Sequence, residues 1–473
     1  MKNNILIAIA CLLMFSCKKE NNKPEETKNI IPVSNQVMES AVIYEANIRQ
    51  YSPEGTFNAF TKDIPILKKL GVKIIWLMPI NPISKVKRKA TDGSFTSEIK
   101  DSIERAKYLG SYYSVSDYKA INPEFGNKTD FDNLVQTAHK NGIYVILDWV
   151  PNHTGWDHPW ITANPEWYTQ NDKGEIIDPI NPDTGESWGW TDVADLNYEN
   201  RDMQLEMIND LKYWVENHNI DGYRMDVAHK VPPAFFNEAI TEMRKIKPLF
   251  MLAEAEQQEL FRNGFDMQYS WEGHHLLNDI AKGKKRAIHF IEYLKKQDTV
   301  MLNEDFKMNF VTNHDENSWS GTVKERMGDA NKILTALVYT MPGMPLIYSG
   351  QEYDLNHRLK FFEKDSIPKI KGKTFNFLEK LGKLKSNNLA LNGGKEAANY
   401  SFIKSDNDNL LIFKRNKNDK EIYFIGNLSD QKQSFSSELQ GKFKDVLNNT
   451  DIIFDKKEIQ FNPWQFYIVS KNE

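Results

Sequence analysis

Eight short apolar runs, separated by stretches of helical periodicity, occupy most of the chain and leave few folds open to it. The runs are Val42–Glu45, Val72–Met78, Tyr144–Val150, Gly222–Asp226, Leu249–Glu254, Phe265–Ser270, Asn309–Thr312 and Pro345–Tyr348. Near-continuous apolar runs of this length suit strands buried on both faces. The segments between them carry helix punctuation. Thr61 is placed to cap a helix that turns Ile64, Leu67 and Leu70 inward and stops at Gly71. Thr129 is placed to cap one that buries Phe131, Leu134, Val135 and Ala138 before Gly142, and Leu205, Ile208, Leu211 and Val215 form another stripe. Strand and helix in alternation predict an α/β fold, a (β/α)₈ TIM barrel. A doubly wound open sheet is the alternative, disfavoured because no glycine-rich phosphate turn follows the first run.

Two polar segments interrupt this alternation. One follows the third run, from about residue 153 to 195, and is rich in Trp, Pro, Asn, Asp and Gly. A connection of that length usually carries function, and it reads as a subdomain inserted over the barrel mouth. The other, Arg88 to Gly110, follows the second run. The barrel is expected over 40–389. Beyond it, Tyr400–Ile403, Leu410–Lys414, Glu421–Gly426, Phe443–Leu447 and Gln465–Val469 are short strands between Asn, Asp, Lys and Gly turns, predicting an all-β sandwich over 390–473.

The N-terminus points to export. Lys2 precedes the apolar stretch Ile5–Phe15, which is too short for a comfortable membrane span and reads as a signal peptide over 1–17. Ser16-Cys17 closes it in the manner of a bacterial lipoprotein cleavage box. Cleavage there removes Cys11 and leaves Cys17 lipidated, so that the mature chain has neither free thiol nor disulfide. Residues 18–39 are polar and read as a tether. The expected location is the bacterial cell envelope, lipid-anchored at the outer membrane, with no other membrane contact.

A net charge of −5, from 60 basic and 65 acidic residues, gives no electrostatic case for nucleic acid. The chemistry lies instead at the ends of the runs. The third closes on Asp148-Trp-Val-Pro-Asn152-His153, the fourth on Arg224-Met-Asp226, the fifth on Glu254 and the seventh on Asn313-His314-Asp315. In a barrel these C-terminal strand ends meet at one mouth, and a cluster of carboxylates there is costly to folding and therefore suggests function. Arg224 and Asp226, two apart in a strand, point the same way, so the guanidinium is expected to hold Asp226 ionised. Glu254 follows Leu249-Phe-Met-Leu-Ala, an apolar setting expected to raise its carboxyl. One ionised and one protonated carboxyl are what glycoside cleavage needs. Glu256 is a rival for Glu254 but lies further past the strand end.

Asp148–Thr154, Gly222–Ala228, Ala253-Glu254 and Phe310–Asp315, with Val193–Asn197 and Gly343–Gly350, resemble the ordered signature regions of the α-amylase superfamily of glycoside hydrolases. The resemblance covers roughly residues 40–390. It implies Asp226 as nucleophile, Glu254 as acid/base and Asp315 as a third carboxylate that binds sugar hydroxyls. It implies that Arg224 orients the nucleophile, that His153 and His314 hydrogen-bond the sugar, that Tyr113 stacks on it, and that Asp148 supports the site. No cofactor is required for such chemistry. Many members hold a structural calcium, and Asn152 and Asp195 match two of its ligands, but the family's Lys-His order after the nucleophile is reversed here to His229-Lys230. The expected activity is retaining hydrolysis of α-glucosidic, α-1,4 bonds in starch-derived glucans. Glucosyl transfer or exo-action on short maltooligosaccharides is the nearer alternative, and a non-catalytic glycan-binding protein the more distant one.

Overall fold

The computed structural model describes residues 32–181, 183–436, 439–454 and 458–471. The expected signal peptide, Cys17 and most of the expected tether lie outside them. The tether's expected end at 39 is too late: Asn35–Ser40 is helical, Met38 is buried, and Glu39 is buried accepting from the backbone of Gly394 and Glu396.

Eight parallel strands close into a barrel: β1 (Val42–Ala46), β2 (Val72–Leu77), β3 (Tyr144–Trp149), β4 (Gly222–Met225), β5 (Phe250–Ala253), β6 (Met267–Tyr269), β7 (Phe306–Asn309) and β8 (Met344–Tyr348). Each pairs with its sequence neighbours, and β1 pairs with β8, so no edge remains. The period of two sets what faces inward. Ile43, Ile74, Trp76, Tyr144, Ile146, Phe250, Leu252, Met267, Tyr269, Met308 and Leu346 fill the barrel, while the alternate residues pack against the helices. β4 opens with Gly222, at φ 150°, because a Cβ there would lie 1.8 Å from the carbonyl oxygen of Phe250 on β5.

Several local expectations are corrected. β7 is Phe306–Asn309, not Asn309–Thr312. The buried ammonium of Lys307, paired with Glu256 at 2.7 Å, broke the apolar run that would have marked it. Thr61 does not cap the helix Ile64–Lys69, which starts after Asp63; Thr61 ends the preceding helix and bonds back to the Phe57 carbonyl. Thr129 lies inside a helix (Lys128–Lys140) capped by Asn127 and Asp130 acting reciprocally. In Arg201–His218 the buried face runs through Met203, Met207, Ile208, Leu211, Trp214 and Val215, leaving Leu205 exposed.

The inserted segment begins and ends in one antiparallel ribbon, His153–Gly155 with Val193–Asp195. The C-terminal part is all-β. A six-stranded antiparallel sheet runs Asn399–Phe402, Leu410–Lys417, Lys420–Asn427, Phe466–Lys471, Gly441–Asp445, Thr450–Phe454, with a separate pair Gln433–Ser436 and Glu458–Phe461. Buried Arg415 joins it to the barrel by donating to the carbonyls of Thr340 and Asn392. Among the described residues no helix is long and apolar enough to cross a membrane.

Candidate active site

The inward parity of the strands carries straight into the mouth. Continuing Ile43 by two gives Glu45, Tyr144 and Ile146 lead to Asp148, Gly222 leads to Arg224 and Asp226, and Leu252 leads to Glu254. The ladder persists one residue past the strands, with Asp226 N donating to Trp149 O (2.8 Å) and Glu254 N to Met225 O (3.0 Å). These side chains are therefore fixed by backbone before any side-chain bond forms.

Arg224, fully buried, is the hub. Its Nη1 donates to Asp148 Oδ1 (2.7 Å) and Asp226 Oδ1 (2.6 Å), and its Nε to the Tyr269 hydroxyl (3.1 Å). Nη2 lies 2.9 Å from Glu254 Oε2, an ion pair without hydrogen-bond angles. The same Oε2 accepts from Val227 N at 2.8 Å. Val227, β-branched at φ 37°, holds a strained left-handed conformation that aims this N–H at Glu254. Asp148 Oδ2 accepts from Trp76 Nε1 (3.1 Å) and Tyr113 OH (3.2 Å), so all of Asp148 is committed to the protein. Among the described residues Asp226 Oδ2 and Glu254 Oε1 make no hydrogen bond.

His314 closes the other side. Its Nδ1 is 2.5 Å from buried Glu45 Oε1 and its Nε2 is 2.7 Å from Tyr113 OH and 3.4 Å from Asp315 Oδ2. Burial pushes the imidazolium down, but Asp315 and Glu45 outweigh it and lift His314 to about 9. His153 lacks such partners, and burial lowers it to about 3, so it is neutral.

The electrostatics revise two expectations. Burial lifts Asp226 well above the ordinary range, with Glu254 and Asp148 adding to it, and Arg224 offsets this only in part. One guanidinium shared by three carboxyls does not hold Asp226 ionised in the simple way expected. Nor is the setting of Glu254 apolar, since it faces Arg224. Glu45, Asp148, Asp226 and Asp315 together confront Arg224 and His314, and burial raises each of these four carboxyls.

Asp226, Glu254, Asp315, Tyr113, His153 and His314 line a single cavity of about 400 Å³. The structure thus brings together the residues expected there, with Arg224 and Asp148 beneath them. Glu256 is excluded, being held by Lys307. Sequence reasoning missed Glu45, Trp76, Tyr269 and Val227. For Glu45 the signal was present, an acidic residue closing an apolar run as in the other strands. It also missed Lys89, which ties the two insertions together over the cavity through Asp192 (3.2 Å) and the Gly189 carbonyl (2.5 Å).

Asn152 and Asp195 do meet, but not as a calcium cage. Asp195 Oδ1 accepts from Asn152 Nδ2 (3.5 Å) and Oδ2 from Thr169 (2.7 Å). Burial raises Asp195 to about 6, against the pull of Thr169 and of the nearby Lys230 ammonium. Calcium takes six to eight oxygens. One carboxylate already bonded on both oxygens beside a cation does not fit it, and no cluster of three or more His, Cys, Asp or Glu suited to a metal occurs among the described residues.

Residues 25–380 match the family model described as the catalytic domain of alpha amylase. The chain belongs to the α-amylase family. This α-amylase family enzyme is 24% identical over 500 aligned positions to alpha-amylase 3 of Dictyoglomus thermophilum, covering 91% of this chain and 93% of that protein. It is 26% identical to an alpha-1,4-glucan:maltose-1-phosphate maltosyltransferase of Picrophilus torridus, over 84% of this chain and 64% of that one. Among solved structures, an alpha-amylase from Lactobacillus plantarum superposes with a TM-score of 0.79 at 27% identity, covering 92% of this chain and 99% of that one.

Proposed function

We propose that this α-amylase family enzyme hydrolyses α-1,4 bonds in starch-derived glucans with retention of configuration. One observation carries the reading: Asp226 and Glu254 are tethered by one oxygen each to adjacent nitrogens of Arg224, leaving Asp226 Oδ2 and Glu254 Oε1 uncommitted beside one sugar-sized cavity.

The roles follow from which oxygens are free. Arg224 and Val227 N both address Glu254 Oε2, so the proton of a protonated Glu254 sits on Oε1. Asp226 Oδ2 attacks the anomeric carbon as the bond to the glycosidic oxygen breaks, and its electron pair takes the Oε1 proton. Water then attacks the same carbon, gives its proton to Glu254 and releases Asp226. Asp315 and His314 bind hydroxyls of the reacting ring, Tyr113 stacks on its apolar face, and His153 hydrogen-bonds it as a neutral imidazole. Asp148 holds Arg224 in place.

The test is amylose hydrolysis followed by NMR. The α-anomer should appear first, and Asp226→Asn should lower turnover by about 10³-fold or more while retaining sugar binding. A β-anomer as first product, or unchanged turnover in the variant, refutes the mechanism. The maltosyltransferase relative favours transfer as a second reading. Products longer than a maltotriose substrate would select it. From its N-terminal sequence, the enzyme is exported and anchored at the envelope through a lipid on Cys17.

A further inference from the structure

Within the segment inserted after β3, the turn Trp188-Gly189-Trp190 leads into the residues that cover the cavity, and ammonium groups from two other parts of the chain hold it. Trp190, Asp192 and Val193 line the cavity on this side. Lys89, from the insertion after β2, takes the Gly189 carbonyl and Asp192. Lys230 comes from the loop after β4. Its Nζ lies 3.7 Å from the ring centre of Trp188 and 5.1 Å from that of Trp190. The two indoles are nearly parallel, with centroids 6.2 Å apart and planes at 25°, and Trp190 in turn lies 5.9 Å from the His153 ring.

The strand that leads to Asp226 also leads to this cation. Ala228–Lys230 is a single 3₁₀ turn, closed by Lys230 N donating to the Val227 carbonyl at 2.9 Å. Val227 N is itself the donor that holds Glu254. One short turn therefore sets the ammonium at a fixed distance from both carboxyls. Among the described residues Lys230 pairs with no carboxylate, so the indole faces are its partners. Trp188 is 44% exposed and does not line the cavity. Neither core packing nor substrate contact accounts for it, whereas an ammonium seated over its face does. The His229-Lys230 order, which departs from the family pattern, thus delivers a side-chain cation to the insertion beside Asp195, where calcium does not fit.

We propose that Lys230 is a positioning residue: its ammonium, held against Trp188 and Trp190, fastens the inserted segment to the barrel and sets the height of the cavity's cover above Asp226 and Glu254. Lys230 touches no substrate. It acts through Trp190 and the chain that follows it, so its loss loosens the cover and weakens substrate binding while the carboxyls keep their geometry.

The test compares wild type with Lys230→Met, which keeps the apolar stem and removes the charge. Chymotryptic cleavage after Trp188 and Trp190, located by mass spectrometry, should accelerate about ten-fold. KM for maltoheptaose should rise about ten-fold with kcat within about threefold. Lys230→Arg should restore both, because a guanidinium also seats on an indole face. Trp188→Leu, which removes a ring outside the cavity, should raise KM by a similar factor, and adding Lys230→Met to it should change KM by less than about twofold further. Unchanged cleavage and KM in Lys230→Met, full additivity of the two substitutions, or a joint fall in kcat and melting temperature that arginine does not repair overturns the clamp. The choice of substrate rests on the glucan reading above. A wild-type enzyme that leaves maltoheptaose intact overturns that reading, and the cleavage rates then decide the clamp alone.

Discussion

Glu45→Gln removes a charge from the floor of the site while keeping an acceptor for His314 Nδ1, so it tests electrostatics rather than shape. The two heavy atoms lie 2.5 Å apart, with both side chains buried. With charge centres roughly 4 Å apart and an effective dielectric near 20, the attraction is about 4 kcal/mol. That corresponds to roughly three pH units in the deprotonation of His314. The wild-type imidazolium persists to about 9. If it must be charged to complement Asp315 and hold the Tyr113 hydroxyl, the alkaline limb of kcat/KM should move two to three units toward acid in the variant. At pH 5.5 both proteins should be active within a few-fold, and at pH 8 the variant should fall by about 10- to 100-fold.

Stability gives an independent readout. The folded His314 is raised above its ordinary 6.5, so its contribution is fully present below pH 6.5 and is lost as pH rises through about 9. Melting temperatures across that window should fall more steeply in wild type than in Glu45→Gln. An alkaline limb at the same pH in both proteins, or an equal loss of activity at every pH, would refute the argument.

Two further outcomes follow from buried groups elsewhere. Lys385, buried and donating to the carbonyls of Gly343 and Leu391, is lowered by burial to about 7. The folded state thus binds fewer protons than the unfolded one between pH 7 and 10.5, and stability should rise with pH there. Guanidinium unfolding should show wild type gaining about 2 kcal/mol on Lys385→Met between pH 7 and 9; parallel pH dependences would count against it. For Asp195, chelation followed by millimolar calcium should move the melting temperature by less than about 2 °C, and a calcium-dependent rise above about 5 °C would restore a cage at this position.

The barrel was legible because strands buried on both faces write themselves as apolar runs, and the site because carboxylates interrupt those runs at one end. What failed to show is equally physical. Lys307 sits in β7 with its charge neutralised by Glu256, a partner 51 residues away that no local pattern reveals. Ile64–Lys69 starts after Asp63 with no side-chain cap, and Thr61 spends its hydroxyl on Phe57 instead. Three C-terminal strands, Gln433–Ser436, Thr450–Phe454 and Glu458–Phe461, are largely exposed and lack an apolar run. Glu45 was visible but without a role, since its partner His314 lies 269 residues further on.

The charge state expected for Asp226 went astray for a related reason. Reasoning along one strand pairs Arg224 with Asp226 alone, because only neighbours two apart are in view. Closure of the barrel places β3 and β5 on either side of β4, and the same guanidinium then meets Asp148 and Glu254 as well. A single positive charge divided among three carboxyls favours the ionised form of Asp226 less than a partner of its own would. The sharing of Arg224 is therefore a consequence of strand order: β4 supplies the cation and leads to Asp226, β3 brings Asp148 level with it, and the end of β5 brings Glu254.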